Sequence, residues 1–127
     1  MSALHADLTD ARWQSLSLVE QLANVGSEVE RAIKWSGRGR ADFSANAVYR
    51  GLELLELTIA DPRHRQRLRE LTRLREALLD YFLGANEFGS SDSAWHRYFT
   101  AFGTAAAFER QQARTGGPLR TPPSSRA

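Results

Sequence analysis

Between Arg63 and Arg75 the chain carries six arginines, Arg63, Arg65, Arg67, Arg69, Arg73 and Arg75, with one glutamate and His64 among them. Each guanidinium offers a planar fork that matches phosphate or carboxylate oxygens, so such density suits anion recognition. Arg65, Arg69 and Arg73 recur at four-residue spacing. On a helix they line one exposed side, an arrangement fitted to tracking phosphates. Arg63, Arg65 and Arg67 also sit where a helix begins, against a partial positive charge that disfavours each cation by roughly 0.3 to 1 kcal/mol. Either an external anion such as nucleic-acid phosphate or the nearby carboxylates Glu53, Glu56 and Asp61 would relieve that. Trp35 with Arg38 and Arg40 extends such a face if the indole stacks a base while the arginines hold phosphates; otherwise Trp35 ends a core stripe. The expected nucleic-acid-binding residues are therefore Arg63, Arg65, Arg69, Arg73, Arg38 and Arg40.

No other constellation carries chemistry. Glu53, Glu56, Glu70 and Glu76 are followed by no histidine at the spacing a di-iron bundle uses. His5, His64 and His96 form no cluster, and Asp92 with His96 is a single four-residue pair, short of a metal site. There is no Gly-rich phosphate loop and no nucleophile elbow. None of the histidines has an arginine four to six residues upstream, the spacing of helical nuclease-like toxins. The expectation is a non-enzyme with no catalytic residues, no metal and no cofactor. A second reading places a small-ligand or enzymatic site near Trp35, Arg75, Asn86, Glu87 and Trp95. Asn86 and Glu87 stand between glycines there, though Asn86 turning the chain and Phe88 pinning it explain that loop equally.

These residues need helices to position them. Asp61 and Pro62 are a helix start, cap then first turn, and at about 100° per residue Leu68, Leu71, Leu74, Leu78 and Phe82 share one side as far as a stop at Gly84. Arg67 and Arg75 point with the leucines, so each either runs its aliphatic stem out to water or is paired across the core with a carboxylate, Glu109 for Arg67 and Glu28 for Arg75. A first helix is expected over Thr9 to Ser36, with Leu18, Leu22, Val25, Val29, Ala32 and Ile33 as its stripe and Gly26 as a weak point. After the breaker Ser36 to Asp42, a second helix runs to Ala60 with Val48, Leu52, Leu55 and Ile59 inward. Ser91 or Ser93 caps a fourth, striped by Trp95, Tyr98, Phe99, Phe102, Ala105 and Ala106. The architecture predicted is all-α, an up-down-up-down four-helix bundle over residues 1–114, with a loose arm over 1–8 and a disordered tail over 115–127.

At 127 residues, with no cysteine, the chain fits one domain without disulfides. No apolar run approaches a membrane span, and Met1 to Asp10 lacks the basic start and apolar middle of a signal peptide, so a cytoplasmic location and no membrane partner are expected. Take Arg120 and Arg126 from the 17 bases and 15 remain against 15 acids, so net charge is uninformative. Its distribution is not: residues 1–30 hold one base and five acids, which polarises the molecule against the arginine stretch. Leu16, Val19 and Ala23 on the first helix, and Phe43, Leu54 and Leu57 on the second, form apolar sides beyond the core stripes. Such a patch predicts a homo-oligomer.

By length, helix order and arginine content, residues 10–114 resemble small prokaryotic four-helix-bundle proteins, among them the accessory variability proteins of diversity-generating retroelements and the intervening-sequence bundles encoded within ribosomal RNA genes. The resemblance assigns no residue a role. It implies an oligomeric adaptor that binds nucleic acid or a nucleic-acid-processing protein.

Overall fold

The computed structural model describes residues 10–115, and these are all-helical, without a strand. A short helix α1 (Asp10–Gln14) leads into α2 (Leu18–Gly37), α3 (Ala41–Ala60), a 3-10 segment (Pro62–Arg67), α4 (Leu68–Leu83) and α5 (Asp92–Arg114). The expected arm over 1–8 and all of the expected tail except Thr115 lie outside the described residues. No described helix is long and apolar enough to cross a membrane.

The single first helix expected over Thr9 to Ser36 is two. Ser17 and Glu20 form a reciprocal capping box, the Ser17 hydroxyl accepting from the Glu20 amide and the Glu20 carboxylate from the Ser17 amide, both at 3.1 Å. A box satisfies two otherwise unpaired amides, so it starts a helix wherever the chain gains by turning. Here the gain is Trp13, folded back until it is 3% exposed, with its indole N–H donating to Thr58 Oγ1 at 3.1 Å. Burying an indole removes roughly 200 Å² from water, several kcal/mol of driving force.

The helix expected from Asp61 to Leu83 is likewise interrupted. Asp61 does cap, accepting from the Arg63 amide at 3.0 Å. The next turn is 3-10, with His64 outside helical geometry at φ −103°, ψ 22°. Leu68 therefore opens α4 and stands 39% exposed, while Leu71, Leu74 and Leu78 keep the buried stripe.

Contacts between α2 and α5 run in opposite sequence order: Ser17 bonds Glu109 at 2.8 Å, Gly26 meets Phe99, and Glu30 bonds His96 at 2.8 Å. The helices are antiparallel. α2 runs unbroken through Gly26, where α5 packs so closely that a Cβ would stand 2.7 Å from Phe99 Cβ. Along α3, Glu28 bonds Arg50 and the Ser44 hydroxyl donates to the Ala32 carbonyl at 2.8 Å, so α2 and α3 are antiparallel too. The core joins Leu22, Val25 and Val29 of α2, Leu54 and Leu55 of α3, Leu71, Leu74 and Leu78 of α4, and Trp95 and Phe99 of α5.

That core consumes most of the apolar surface expected to be surplus. Leu54 is 4% exposed, and Leu16 and Leu57 pack against the core partly buried. Val19 and Ala23 are half-buried. Phe43, 37% exposed, turns edge-on to Trp35.

Candidate functional site

The arginine stretch divides into two sets. Arg63 wraps Asp61 through Nε and a terminal nitrogen, and that nitrogen also donates to the Leu16 carbonyl at 2.6 Å. Arg67 pairs with Glu70 at 2.7 Å, and Arg75 pairs with Glu56. The cross-core pairs do not form. Glu28 is held by Arg31 at 3.0 Å and Arg50 at 3.2 Å, and Glu109 accepts from Ser17. The reason is exposure: the side chains of Arg67 and Arg75 keep 52% and 40% of their surface in water, so nearby carboxylates at the rim serve without the desolvation a buried pair would cost.

Arg65, Arg69 and Arg73 are exposed and have no carboxylate or hydrogen-bond partner among the described residues. Arg69 and Arg73 share α4, whereas Arg65 lies in the 3-10 segment, outside the α-helical register that the four-residue spacing assumed. Arg69 and Arg73 lie one turn apart, about 6 Å along the axis, and flank a shallow surface dip completed by Leu68, Thr72 and Glu76.

Arg38 and Arg40 stand elsewhere, at the α2–α3 corner. Arg40 lies over the Phe43 ring at 3.9 Å and near Trp35 at 6.0 Å, Arg38 is 5.6 Å from the Trp35 centroid, and Arg40 also reaches Asp42 at 3.4 Å. The 20 residues of α3 separate that corner from Arg63, a span of roughly 30 Å at 1.5 Å per residue. The six expected residues therefore form two patches.

Next to the arginine row, α4 and α5 part to leave a groove of about 510 Å³. Its walls are Leu74, Ala77 and the rim residues Arg67, Glu70 and Arg73 on α4, with Trp95, Tyr98 and Phe102 on α5. Sequence reasoning placed those aromatics in one core stripe. The stripe is about 120° wide, and the structure splits it: Trp95, Phe99 and Ala106 are buried, whereas Tyr98 is 41% exposed and Phe102 half-buried. Tyr98 is set by edge-on contacts to Trp95, Phe99 and Phe102 at centroid distances of 6.0, 4.9 and 5.4 Å. Burial, with Glu70 nearby, raises its hydroxyl above the usual phenol range. The Trp95 indole nitrogen is buried without a partner among the described residues.

The residues of the second reading are spread out. Arg75 is engaged by Glu56 and Trp35 by Phe43. Asn86, at φ 56°, bonds the Ser90 amide and carbonyl and so shapes its own loop, which Asp80 anchors through the amides of Glu87 and Phe88. Phe88 pins nothing, being 63% exposed. Asn86 lines a different cavity, of about 490 Å³, with Ser44, Val48, Tyr81 and Phe82. Asp92 accepts a short hydrogen bond from Tyr81, and His96 bonds Glu30, so that four-residue pair is committed elsewhere. Burial, then Asp92, pushes the Tyr81 hydroxyl up to about 12.

A buried polar cluster that sequence reasoning missed joins α1, α2, the end of α3 and the 3-10 segment. Gln21 donates to the Trp13 carbonyl at 2.9 Å and to Asp61 at 3.1 Å, and its oxygen faces His64 Nε2 at 3.0 Å. With the Gln21 amide nitrogen spent on acceptors, its oxygen requires a donor, so His64 carries its proton on Nε2. The Arg63 hydrogen bonds, opposing burial, hold Asp61 well below the usual carboxylate range. Burial lowers His64, against the pull of Asp61. Every polar side chain named here has a partner, so the cluster ties four segments together.

No protein-family model matches the chain, and neither a curated protein nor a solved structure matches it significantly.

Proposed function

We propose that the chain is a non-enzymatic, cytoplasmic adaptor, an up-down-up-down four-helix bundle whose α4 binds nucleic acid. The observation that carries this is the division of the arginines. Of six in one stretch, three are neutralised by Asp61, Glu70 and Glu56, and the three that recur every fourth residue stay exposed and unpartnered among the described residues. Guanidinium groups left unpaired at helical spacing lose nothing by releasing a partner when phosphates arrive, and the counterions they displace make binding steeply salt-dependent. The antiparallel contacts of α2 with α3 and α5 support the bundle topology. Placement in a nucleic-acid-processing complex agrees with the resemblance to accessory variability proteins.

A mobility shift with RNA and with DNA across a salt series tests the binding. Changing Arg65, Arg69 and Arg73 together to glutamine weakens binding and reduces the salt slope by about two to three. Unchanged affinity and slope in that variant defeat the reading. Self-association belongs to the same proposal, and light scattering decides it: a monomer at micromolar concentration removes the oligomer.

A further inference from the structure

The row and the groove are neighbours, and Arg73 belongs to both. On a helical wheel of α4, at about 100° per residue, Arg69 points directly away from the core. Arg73 lies about 40° round from it, and Ala77, Glu70 and Leu74 follow in order down into the groove. The far wall, on α5, is aromatic. Charge is thus confined to one edge of this surface and flat apolar rings to the other. Arg67 and Glu70 at the near rim cancel each other at 2.7 Å.

We propose that this surface takes a single-stranded nucleic acid, its phosphates along Arg65, Arg69 and Arg73 and its bases turned into the α4–α5 groove against Tyr98 and Phe102. The inference rests on the nucleic-acid reading and specifies its substrate class. A single strand has the matching asymmetry, an anionic edge and a row of planar bases that stack on any aromatic face. A duplex does not, because its bases are already stacked inside and only its phosphates reach the row. Tyr98 suits a stacking role: the residue is 41% exposed, and its hydroxyl has no hydrogen-bond partner among the described residues. The edge-on contacts to three neighbouring rings fix its plane before a base arrives, so little side-chain freedom is lost on binding. A second copy of the chain is disfavoured as occupant, since a two-fold contact through this face would set one unpaired arginine row near the other. An acidic amphipathic helix answers the charge, but it would be recognised best by cations on both rims, and the α5 rim offers Tyr98 and Phe102 instead.

Fluorescence anisotropy with a labelled oligothymidylate, a duplex of the same length and polyglutamate as competitor, at one fixed salt concentration, tests this. The parent protein binds the single strand at least about ten-fold tighter than the duplex. Tyr98→Ala weakens the single strand by roughly 5- to 100-fold, the range for losing one stacked base, and leaves duplex affinity unchanged; Tyr98→Phe retains the parent affinity. Tyr98 is partly exposed, so helicity measured by circular dichroism confirms that the alanine variant is folded, and Phe102→Ser provides a second probe of the same groove. Equal affinity for strand and duplex, or equal losses of both in Tyr98→Ala, overturns the single-strand inference. If the triple arginine variant still weakens both ligands in that case, the nucleic-acid reading survives. Competition by polyglutamate as effective as by the oligonucleotide at equal charge overturns both in favour of an acidic protein partner.

Discussion

Asp61→Asn separates the charge of the capping residue from its shape. Asparagine caps a helix as well as aspartate does, so a purely local role predicts little change. The structure predicts a large one. Asp61 Oδ1 accepts from the amide and Nε of Arg63, and Oδ2 accepts from Gln21, from the Arg63 terminal nitrogen and, at 3.4 Å, faces His64 Nε2. Every neighbour is a donor. An amide NH₂ in either position meets donors, and relief costs a bond elsewhere: His64 can move its proton to Nδ1 and leave the Gln21 oxygen without a donor, or Gln21 can turn its own amide over. The turn withdraws the donor from the Trp13 carbonyl and obliges His64 to accept at Nε2 instead of donating. Two losses follow, a charge-assisted pair worth roughly 1.5 to 3 kcal/mol and one hydrogen bond to the Trp13 carbonyl worth about 1 kcal/mol, since the Leu16 amide still donates to that carbonyl at 3.0 Å. Arg63, with 46% of its side chain exposed, can swing into water and so limits the total; about 3 kcal/mol is expected. Thermal unfolding followed by circular dichroism at pH 7 should show a fall in Tm of the order of 10 to 20 °C. Asp61→Asn melting within a few degrees of the parent refutes the network argument and leaves Asp61 as a simple cap.

Three further outcomes follow from particular contacts. Gly26→Ala is expected to destabilise despite the roughly 1 kcal/mol that alanine brings to a helix, because its Cβ would lie 2.7 to 2.8 Å from Phe99 atoms and overpacking costs about 1 to 3 kcal/mol; a melting temperature at or above the parent's would show α5 free to move. His64 is held neutral by burial, so its folded pKa lies below the unfolded value of 6.5 and the unfolded chain takes the proton first. Stability is then full above about pH 6.5 and declines as pH falls through the lower folded value, with the Asp61 contribution lost further down, below 3.8. His64→Gln should flatten the upper part of that profile in chemical denaturation, and an unchanged profile would assign the slope to other groups. Thr72→Glu puts a carboxylate into the dip beside Arg69 and Arg73: helix stability should stay within about 0.5 kcal/mol while nucleic-acid affinity and its salt slope both drop, and retained affinity would count against the arginine row.

What could be read from the sequence was what local rules decide. The Ser91 cap, the Asp61 cap, the end of α3 at Ala60 and the α4 leucine stripe each depend on residues within a turn or two of one another. The outward placement of Arg69 and Arg73 on α4 follows from periodicity in the same way, whereas Arg65 falls in the 3-10 segment. The failures share a cause, which is that the deciding partner lies on another helix. Ser17 and Glu20 are a capping box on paper, yet Trp13, Leu16 and Leu18 continue the apolar pattern through it, and only the bond from Trp13 to Thr58, 45 residues away, makes breaking the helix worthwhile. Gly26 reads as a flaw in α2 until Phe99 is placed against it. The same logic decides between the two readings of Arg67 and Arg75. Periodicity located Arg67 and Arg75 on the leucine side, but long side chains run their stems along apolar surface and deliver the charge to the rim, where Glu70 and Glu56 stand. Angle on a wheel therefore fixes where a guanidinium's stem begins, and the nearest exposed carboxylate fixes where its charge ends. Arg69 and Arg73 pair with no carboxylate among the described residues, although Glu76 lines their dip, so unmatched charge collects on one side of α4, beside a groove whose far wall is aromatic.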